Sequence, residues 1–405
     1  MAHNGVEKMA RAILAKDGRT IRRPVHPQGE DHFDVAYVRA GPRTQQPVVV
    51  IPGGPGLASV APYRSFRQLA TLRGLDVIMV EHRGIGLSGR TDDGAPLDPG
   101  AVTIEQAADD IAAVLDDADA STAVIAGSSY GSYLAQAFAI RHPGRVAALI
   151  LDSPMLSVES DLAAVRAHRR SLFWDGEAPR TARIAPMVRA LADRGEQMRD
   201  LDHVVQVVHE FAGPDILERL LRARLNERLG WLWSQIVGLG AGEVEGAGVP
   251  FFMEPDAVAS MAYQQLGYGL PPDGGPLDPQ LTFQAMASTR PPYTGEPFDL
   301  PQEVPGYAWP TVVISGDRDL RTPRPVAQRI VELAPRGVLL PLAGTGHSAL
   351  DTHQLALLHT IRVTLDGQSD RVPTLAARLA GMPRKGASGH LGRILTLAVR
   401  ATTRP

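Results

Sequence analysis

Short apolar runs alternate with helix-like segments in two parts of the chain, and these parts flank a long middle part without such runs. Each run is rich in Val, Ile and Leu, as a strand covered on both faces must be. The first part contains runs at residues 47–52, 75–80, 122–126 and 146–151. The pattern returns after residue 305, with runs at 311–315 and 337–342. The alternation predicts one sheet built from both ends of the chain.

Helical patterns lie between the apolar runs, at residues 62–73, 104–117, 130–141 and 325–333. Thr103 and Gln106 form a T-x-x-Q capping box that marks the start of the second of these helices. Strands that alternate with helices of this length need crossover connections, which favours a mostly parallel sheet flanked by helices. Residues 20–38 are expected to add an antiparallel hairpin at its edge.

The middle part, residues 156–305, is predicted to be a mainly helical cap inserted after a strand. Its helical patterns are followed by a loop-rich stretch, and they cover residues 158–173, 182–211 and 215–237. The core is then formed by residues 1–155 and 306–366. This organisation predicts an α/β fold in which the cap interrupts the sheet domain.

The C-terminal segment, residues 367–405, is strongly basic. Asp370 is its only acidic residue. Its basic residues are Arg371, Arg378, Arg384, Lys385, Arg393, Arg400 and Arg404. We expect a solvated terminal helix or a frayed tail.

Composition and charge exclude several classes of function. The net charge is −3, so no general positive field would attract nucleic acid or an anionic membrane. The chain has no cysteine, which excludes disulfides, thiolate metal sites and cysteine nucleophiles. No uncharged apolar run approaches the roughly 20 residues that span a bilayer, and the charged N-terminus lacks a signal-peptide core, so we expect a cytoplasmic protein. No metal motif occurs, and no cofactor is predicted.

Residues 127–131 have the sequence GSSYG, a G-x-S-x-G motif between a predicted strand and a predicted helix. A serine on so sharp a turn has strained dihedrals and needs small residues two positions before and after it. Gly127 and Gly131 meet this requirement. Ser129 is therefore predicted to be a nucleophile, with the positive end of the following helix beside it.

A serine hydroxyl needs a base within hydrogen-bond reach, and histidine is the usual one. Of the 12 histidines, His347 follows a late apolar run within a small-residue loop, GTGHS. Such a loop lets the imidazole reach across the end of the sheet. His142 and His82 are the competing candidates, but His142 lies at a helix C-terminus, where a capping role suffices.

A carboxylate must hold that imidazole in one tautomer, and this chemistry on an α/β sheet follows the chain order Ser, Asp, His. Asp319 fits the order and lies just after the run at 311–315. The neighbouring Asp317 points the other way if the G-x-x-D spacing holds. Asp152, at the end of the run at 146–151, is a second candidate.

The tetrahedral oxyanion needs two fixed backbone donors, each worth about 3 kcal/mol of barrier. The sequence IPGGPG at residues 51–56 follows the first apolar run, and glycine lets the backbone approach a ligand closely. We predict an oxyanion hole formed by the N–H groups of Gly54 and Tyr130. A tight turn without a ligand is the alternative.

Another glycine-rich stretch, EHRGIGLSG at residues 81–89, could be mistaken for a phosphate-binding loop. It lacks a Walker lysine and does not match G-x-G-x-x-G at a helix start. We interpret it as a structural turn beside the active site.

Together, the motifs GGPG, EHRGIGLSG, GSSYGS, GDRDLRTP and GTGH resemble those of the prolyl aminopeptidase (proline iminopeptidase) group of α/β-hydrolases. The resemblance covers residues 45–155 and 305–350. It implies a serine hydrolase with Ser129, Asp319 and His347 as its triad. Two features of this chain differ from the group. Pro52 stands where the group usually has a histidine before GGPG, and the turn that reads D-Q-R-G in the group reads E-H-R-G here.

The resemblance also implies removal of an N-terminal residue, such as proline, from short peptides. Members of the group bind the free amine with cap glutamates; Glu254 is our candidate here, and Glu210 and Glu243 are alternatives. Three tryptophans of the predicted cap are expected either to line a pocket for a proline ring or to pack helices, namely Trp174, Trp231 and Trp233. The alternative functions are an esterase or amidase for small molecules and a non-catalytic small-molecule receptor.

Overall fold

The structure, a computed structural model, describes residues 2–240, 248–384 and 387–402. Its centre is an eight-stranded sheet. The strands are β1 (Gly18–Pro24), β2 (His32–Ala40), β3 (Val48–Ile51), β4 (Val77–Val80), β5 (Ala123–Ser128), β6 (Val146–Asp152), β7 (Thr311–Gly316) and β8 (Gly337–Leu342). Their order across the sheet is β1-β2-β4-β3-β5-β6-β7-β8.

Strands β3 to β8 are parallel to one another, whereas β2 is antiparallel to both of its neighbours, β1 and β4. The predicted edge hairpin is confirmed, with Gly18 opposite Val38. The mostly parallel sheet is confirmed as well. Because β3, β5, β7 and β8 run in the same direction, the loops that follow them meet at one edge of the sheet.

Helices flank the sheet on both faces. They are α1 (Ala2–Asp17), α2 (Arg64–Thr71), α3 (Ile104–Asp117), α4 (Tyr130–Arg141) and, near the end of the chain, Arg324–Leu333 and Gln354–Leu365. Helices α3 and α4 have the predicted bounds. The predicted cap of α3 is confirmed, since the Thr103 hydroxyl accepts a hydrogen bond from Gln106 N at 3.3 Å. Helix α1 was not predicted; Ala10 and Ile13 bury its apolar face against Val38.

The two faces of the sheet bury different side chains. Val49 and Ile51 of β3 pack in one apolar cluster with Tyr130 and Tyr133 of α4. The alternate residues, exemplified by Val50, pack in a second cluster against the helix Gln354–Leu365. This alternation is the strand periodicity of two, with both sides covered by helices.

Between β6 and β7 the described residues form helices and loops. The longer helices are α5 (Val158–Arg170), α6 (Ala185–Asp193), α7 (Met198–Ala212), α8 (Pro214–Leu225) and α9 (Gly230–Val237). The segment 182–211, predicted as one helical stretch, is divided between α6 and α7 by a turn at Gly195 with a φ of 90°. The segment 215–237 is likewise divided between α8 and α9, where Leu229 has a φ of 61°.

The described part of the C-terminal segment forms helices. After Ser369–Leu375 and Ala376–Ala380, the chain ends in the C-terminal helix, Ala387–Thr402. Leu395 and Val399 of this helix are buried in an apolar cluster with residues of α7 and α8. The described residues therefore form a terminal helix, but one side of it is packed against α7 and α8 rather than solvated. No helix within the described ranges is both long and apolar enough to cross a membrane.

Candidate active site

Ser129 occupies a sharp turn between β5 and α4. Its backbone has φ 54° and ψ −123°, a conformation that costs a non-glycine residue about 1–3 kcal/mol. A Cβ atom on Gly127 would lie 2.0 Å from the Gly131 carbonyl oxygen. A Cβ atom on Gly131 would lie 2.3 Å from the Ile51 carbonyl oxygen. The two glycines therefore permit the turn that lifts Ser129 above the sheet.

The turn is fixed by backbone and side-chain hydrogen bonds. Ser129 N donates to the Asp152 carbonyl at 2.9 Å, which ties the turn to the end of β6. The Ser132 hydroxyl donates to the Ser129 carbonyl at 2.6 Å. Helix α4 begins at Tyr130, so its first N–H groups have no partner within the helix and lie beside the serine.

His347 and Asp319 are hydrogen-bonded to each other in the loops after β8 and β7. His347 Nδ1 lies 3.1 Å from each Asp319 carboxylate oxygen. Asp319 Oδ1 also accepts from the backbone N–H groups of Arg321 at 2.9 Å and Thr322 at 3.0 Å. With Nδ1 facing a carboxylate, the imidazole proton is assigned to Nδ1, and Nε2 has the lone pair.

Charge and burial set the pKa values of this pair. Burial alone would raise the pKa of Asp319, but the charge of His347 and the hydrogen bonds to the carboxylate lower it to about 2. Burial alone would lower the pKa of His347, but the Asp319 carboxylate outweighs it and raises that pKa. An ionised carboxylate beside an imidazole of raised pKa is suited to proton abstraction.

Asp152, the other candidate acid, is hydrogen-bonded to backbone groups of the segment after His347. Its two carboxylate oxygens accept hydrogen bonds from the backbone N–H groups of Ala349 and Leu350, each at 2.9 Å. Burial raises the pKa of Asp152 to about 6. Asp152 thus anchors the segment that follows His347, a role that no local sequence pattern indicates because it depends on two distant backbone groups.

A second link joins the serine turn to the histidine loop. The Ser128 hydroxyl donates to the Ser348 hydroxyl at 2.8 Å. Ser348 N donates to the Ser153 hydroxyl at 2.9 Å. Ser128, which precedes the candidate nucleophile, therefore contacts Ser348, which follows the candidate base.

The two competing histidines have other partners. His82 is buried, with Nε2 3.1 Å from the Pro55 carbonyl oxygen and Nδ1 3.0 Å from its neighbour's carbonyl oxygen. Burial lowers the pKa of His82 to about 4. His142 Nε2 lies 2.9 Å from Asp109 Oδ1, on α3. His82 therefore supports the GGPG loop, and His142 joins two helices.

The GGPG loop lies directly beside the serine. A Cβ atom on Gly53 would be 3.1 Å from Ser129 Cβ. Gly54 has a φ of 124°, and its carbonyl oxygen accepts a hydrogen bond from the Tyr268 hydroxyl at 2.9 Å. Gly53, Gly54 and Ser129 line the same cavity. The loop therefore offers backbone groups where an oxyanion would form, beside the start of α4.

The EHRGIGLSG stretch is a turn held by buried side chains. The Glu81 carboxylate accepts hydrogen bonds from Val60 N at 3.0 Å and Leu87 N at 2.7 Å. Arg83 is buried and forms a bidentate salt bridge with Asp110, with N–O distances of 2.8 and 2.9 Å. These side chains bind protein groups, which supports a structural role for the turn.

Neither of the two described glutamates considered for amine binding, Glu254 and Glu210, lines the cavity. Glu254 Oε2 accepts a hydrogen bond from Gly86 N at 2.6 Å, and Glu254 is not among the described residues that line the cavity. Glu210 accepts from Leu320 N at 3.1 Å and lies 3.3 Å from the Arg321 guanidinium. Glu243 lies outside the described residues. The structure directs both described carboxylates to protein partners.

A cavity of about 570 Å³ contains Ser129 and His347. Its lining is largely apolar and includes Met155, Val165, Phe211, Leu266, Phe283 and Leu391. The tryptophans Trp174, Trp231 and Trp233 are not among its described lining residues; Trp233 is buried among the packed helices instead. No group of three or more potential ligands within the described ranges could hold a metal ion.

Residues 46–185 match the family model described as alpha/beta hydrolase fold. Together with the sheet order and the crossover helices, this match defines an α/β-hydrolase fold. No curated protein sequence matches the chain significantly.

Solved structures that are similar to this chain share little sequence with it. A thermophilic esterase from Thermogutta terrifontis is 17% identical with a TM-score of 0.46, over 89% of this chain and 99% of the esterase. The proline iminopeptidase of Mycobacterium smegmatis is 18% identical with a TM-score of 0.47, over 90% of this chain and 98% of that protein. Similarity at this level says nothing about the substrate of this chain.

Proposed function

We propose that this protein is a serine hydrolase that acts through an acyl-enzyme, with Ser129 as nucleophile, His347 as general base and Asp319 as the residue that orients the histidine. The hydrogen bonds between Asp319 and His347, at the cavity that also contains Ser129, are the observation that carries the proposal. The strained turn at Ser129 and the adjacent glycine loop support it.

In the first half-reaction, Ser129 Oγ attacks the substrate carbonyl carbon while its proton moves to His347 Nε2. The carbonyl oxygen becomes an oxyanion, stabilised by the N–H groups of Gly54 and Tyr130. Asp319 stabilises the imidazolium without taking its proton. The intermediate collapses when His347 gives that proton to the departing alcohol or amine, which leaves Ser129 acylated.

In the second half-reaction, water replaces the leaving group. His347 removes a proton from the water as its oxygen attacks the acyl carbon. The same backbone donors stabilise the second oxyanion. Collapse returns the proton to Ser129 Oγ and releases the carboxylic acid, so one bond is cleaved and one water molecule is consumed.

The cavity favours an ester or amide of a small apolar molecule. An aminopeptidase must offer a carboxylate to the charged amine of its substrate, because a buried ammonium without a partner is costly. The acidic residues of the described lining are Asp161 and Asp351. Asp161 already accepts from Leu156 N at 2.7 Å, and Asp351 from the Tyr63 hydroxyl at 2.8 Å. The prolyl aminopeptidase expected from the sequence motifs is therefore the second candidate.

Hydrolysis of three substrates by the purified protein tests both readings. They are a short p-nitrophenyl ester, prolyl-naphthylamide and the N-blocked form of that amide. We expect cleavage of the ester and little or no preference for a free amine. Efficient cleavage restricted to the free-amine prolyl substrate would support the aminopeptidase instead.

The Ser129→Ala variant is the control for the chemistry. It removes the attacking oxygen and leaves the turn, so it is expected to fold normally and to lose turnover and labelling by a fluorophosphonate. Labelling and turnover at the wild-type level in this variant would refute the mechanism.

A further inference from the structure

The C-terminal helix reaches the cavity of the proposed active site. Leu391, in its first turns, lines the same cavity as Ser129 and His347. It is partly buried against the cluster of apolar residues from α7 and α8. A residue close to the end of the chain thus forms part of the space in which the substrate of the proposed hydrolase would lie.

The helix is firmly fixed against α7. Leu395 is 3% exposed and Val399 is 0% exposed, and both pack among the residues of α7 and α8. A Cβ atom on Gly392 would lie 2.2 Å from the Phe211 carbonyl oxygen, so the two backbones are in direct contact there. Phe211 also lines the cavity. The helix and α7 therefore form a continuous wall.

The segment before the helix is attached to the histidine loop. The Arg384 guanidinium donates hydrogen bonds to the Gly344 carbonyl and to the Thr345 hydroxyl. These residues lie three and two positions before His347 in the loop after β8. The C-terminal segment is thus held at two places, at Arg384 beside the proposed base and at Leu395 on α7. Leu391 lies between these two residues in the sequence.

We propose that the C-terminal helix sets the size of the apolar group that the site accepts, and that Leu391 is a specificity-determining residue. This inference rests on the proposed function. A fixed leucine side chain limits how far an acyl or alkyl chain extends, because a chain that passes its position would overlap it. Each further methylene that does fit contributes about 0.8 kcal/mol of burial, or about a fourfold increase in kcat/KM.

The test is the chain-length profile of Leu391→Ala and Leu391→Trp. Two homologous series are used, p-nitrophenyl esters of increasing acyl length and acetate esters of increasing alcohol length. We expect Leu391→Ala to move the optimum of one series to longer chains, with about a fourfold gain in kcat/KM for each methylene newly accommodated. Leu391→Trp should move the same optimum to shorter chains.

Leu397→Ala is the matched control. Leu397 lies on the same helix, but it is 68% exposed and is not among the described residues that line the cavity. It is expected to keep the wild-type profile. Thermal unfolding tests whether each variant is folded. The Trp variant gives an independent result if the Ala variant does not fold.

The outcomes separate the two proposals. Wild-type protein that cleaves neither series and is not labelled by a fluorophosphonate would refute the hydrolase itself. An active enzyme whose profile is the same in wild type and both Leu391 variants would overturn the role of the helix alone. Equal shifts in the Leu397→Ala control would also overturn it, since they would indicate a general effect of the helix on the fold.

Discussion

Replacing Asp319 by asparagine tests the proposed triad at its most informative position. Asp319 Oδ1 accepts two backbone hydrogen bonds, at 2.9 and 3.0 Å, so the amide oxygen of the asparagine is expected to keep that place. Its NH₂ group then faces His347 Nδ1, which lies 3.1 Å from Oδ2 in the native protein. The amide donates to Nδ1, which transfers the imidazole proton to Nε2.

A histidine with its proton on Nε2 cannot take the proton of Ser129. The loss expected for a triad in the wrong tautomer is about 10⁴-fold in kcat, or roughly 5 kcal/mol of barrier. The residual activity should also depend on pH differently. The carboxylate that raises the pKa of His347 is gone, so the fall of activity at low pH should move to lower pH.

The assay is the pH dependence of kcat and kcat/KM with a short p-nitrophenyl ester. Asp317→Asn is the matched control, because this aspartate lies in the same loop but is exposed. It should keep nearly full activity. An Asp319→Asn enzyme within tenfold of wild type, or an equal loss in the control, would show that Asp319 does not orient the base.

Two further predictions concern the wild-type base and the serine turn. In wild type, kcat/KM should fall as the pH decreases through a pKa above 6.5, since protonation inactivates His347 and Asp319 raises its pKa; an acid limb centred well below 6 would contradict this. Gly131→Ala should lower the free energy of unfolding by about 3 kcal/mol in urea titrations, because the new Cβ would meet the Ile51 carbonyl oxygen at 2.3 Å. Gly144→Ala, with no heavy atom within 4 Å of its Cβ, is the control and should change little.

The sheet was largely predictable because its strands are local patterns. A buried strand such as β3 needs only a short apolar run, and α3 needs only its periodicity and the Thr103 cap. The positions of Ser129, Asp319 and His347 follow from the same patterns, since each lies just after a strand. Parallel pairing then brings those strand ends to one edge.

The hydrogen-bond partners of the glutamate carboxylates were not predictable from the sequence. Glu254 and Glu210 are ordinary acidic residues in a chain where most such residues are solvated. Their partners, Gly86 N and Leu320 N, are backbone groups more than 100 positions away in the chain. Only the packing of loops against the sheet determines which groups they meet.

The C-terminal helix was missed as a cavity wall for a similar reason. Its apolar residues are interspersed with Arg393 and Arg400, which is typical of a solvated amphipathic helix. Whether Leu395 and Val399 bury their side chains depends on the apolar surface offered by α7 and α8, and no local signal in the sequence reports that surface. The segment 182–211 shows a lesser error, because a single glycine was enough to end a helix within an otherwise continuous pattern.

The hydrogen bond between Ser128 and Ser348 can form only late in the synthesis of the protein. The two serines are 220 positions apart, and Asp152 is 198 positions from Leu350. During synthesis, β3 to β6 emerge early and contain the nucleophile turn and half of the sheet. The groups that fix the histidine loop remain unpaired until residues 348–350 have left the ribosome.

A nascent chain therefore passes through a long stage in which Ser129 lacks the proposed base, His347, beside it. Asp152 and Ser128 are buried in the finished protein, but during this stage their polar atoms must be hydrated or bound to something else. Such late pairing delays the final closure of the core, as expected for contacts of high sequence separation. Ser129 can therefore act as the proposed nucleophile only after the histidine loop has folded.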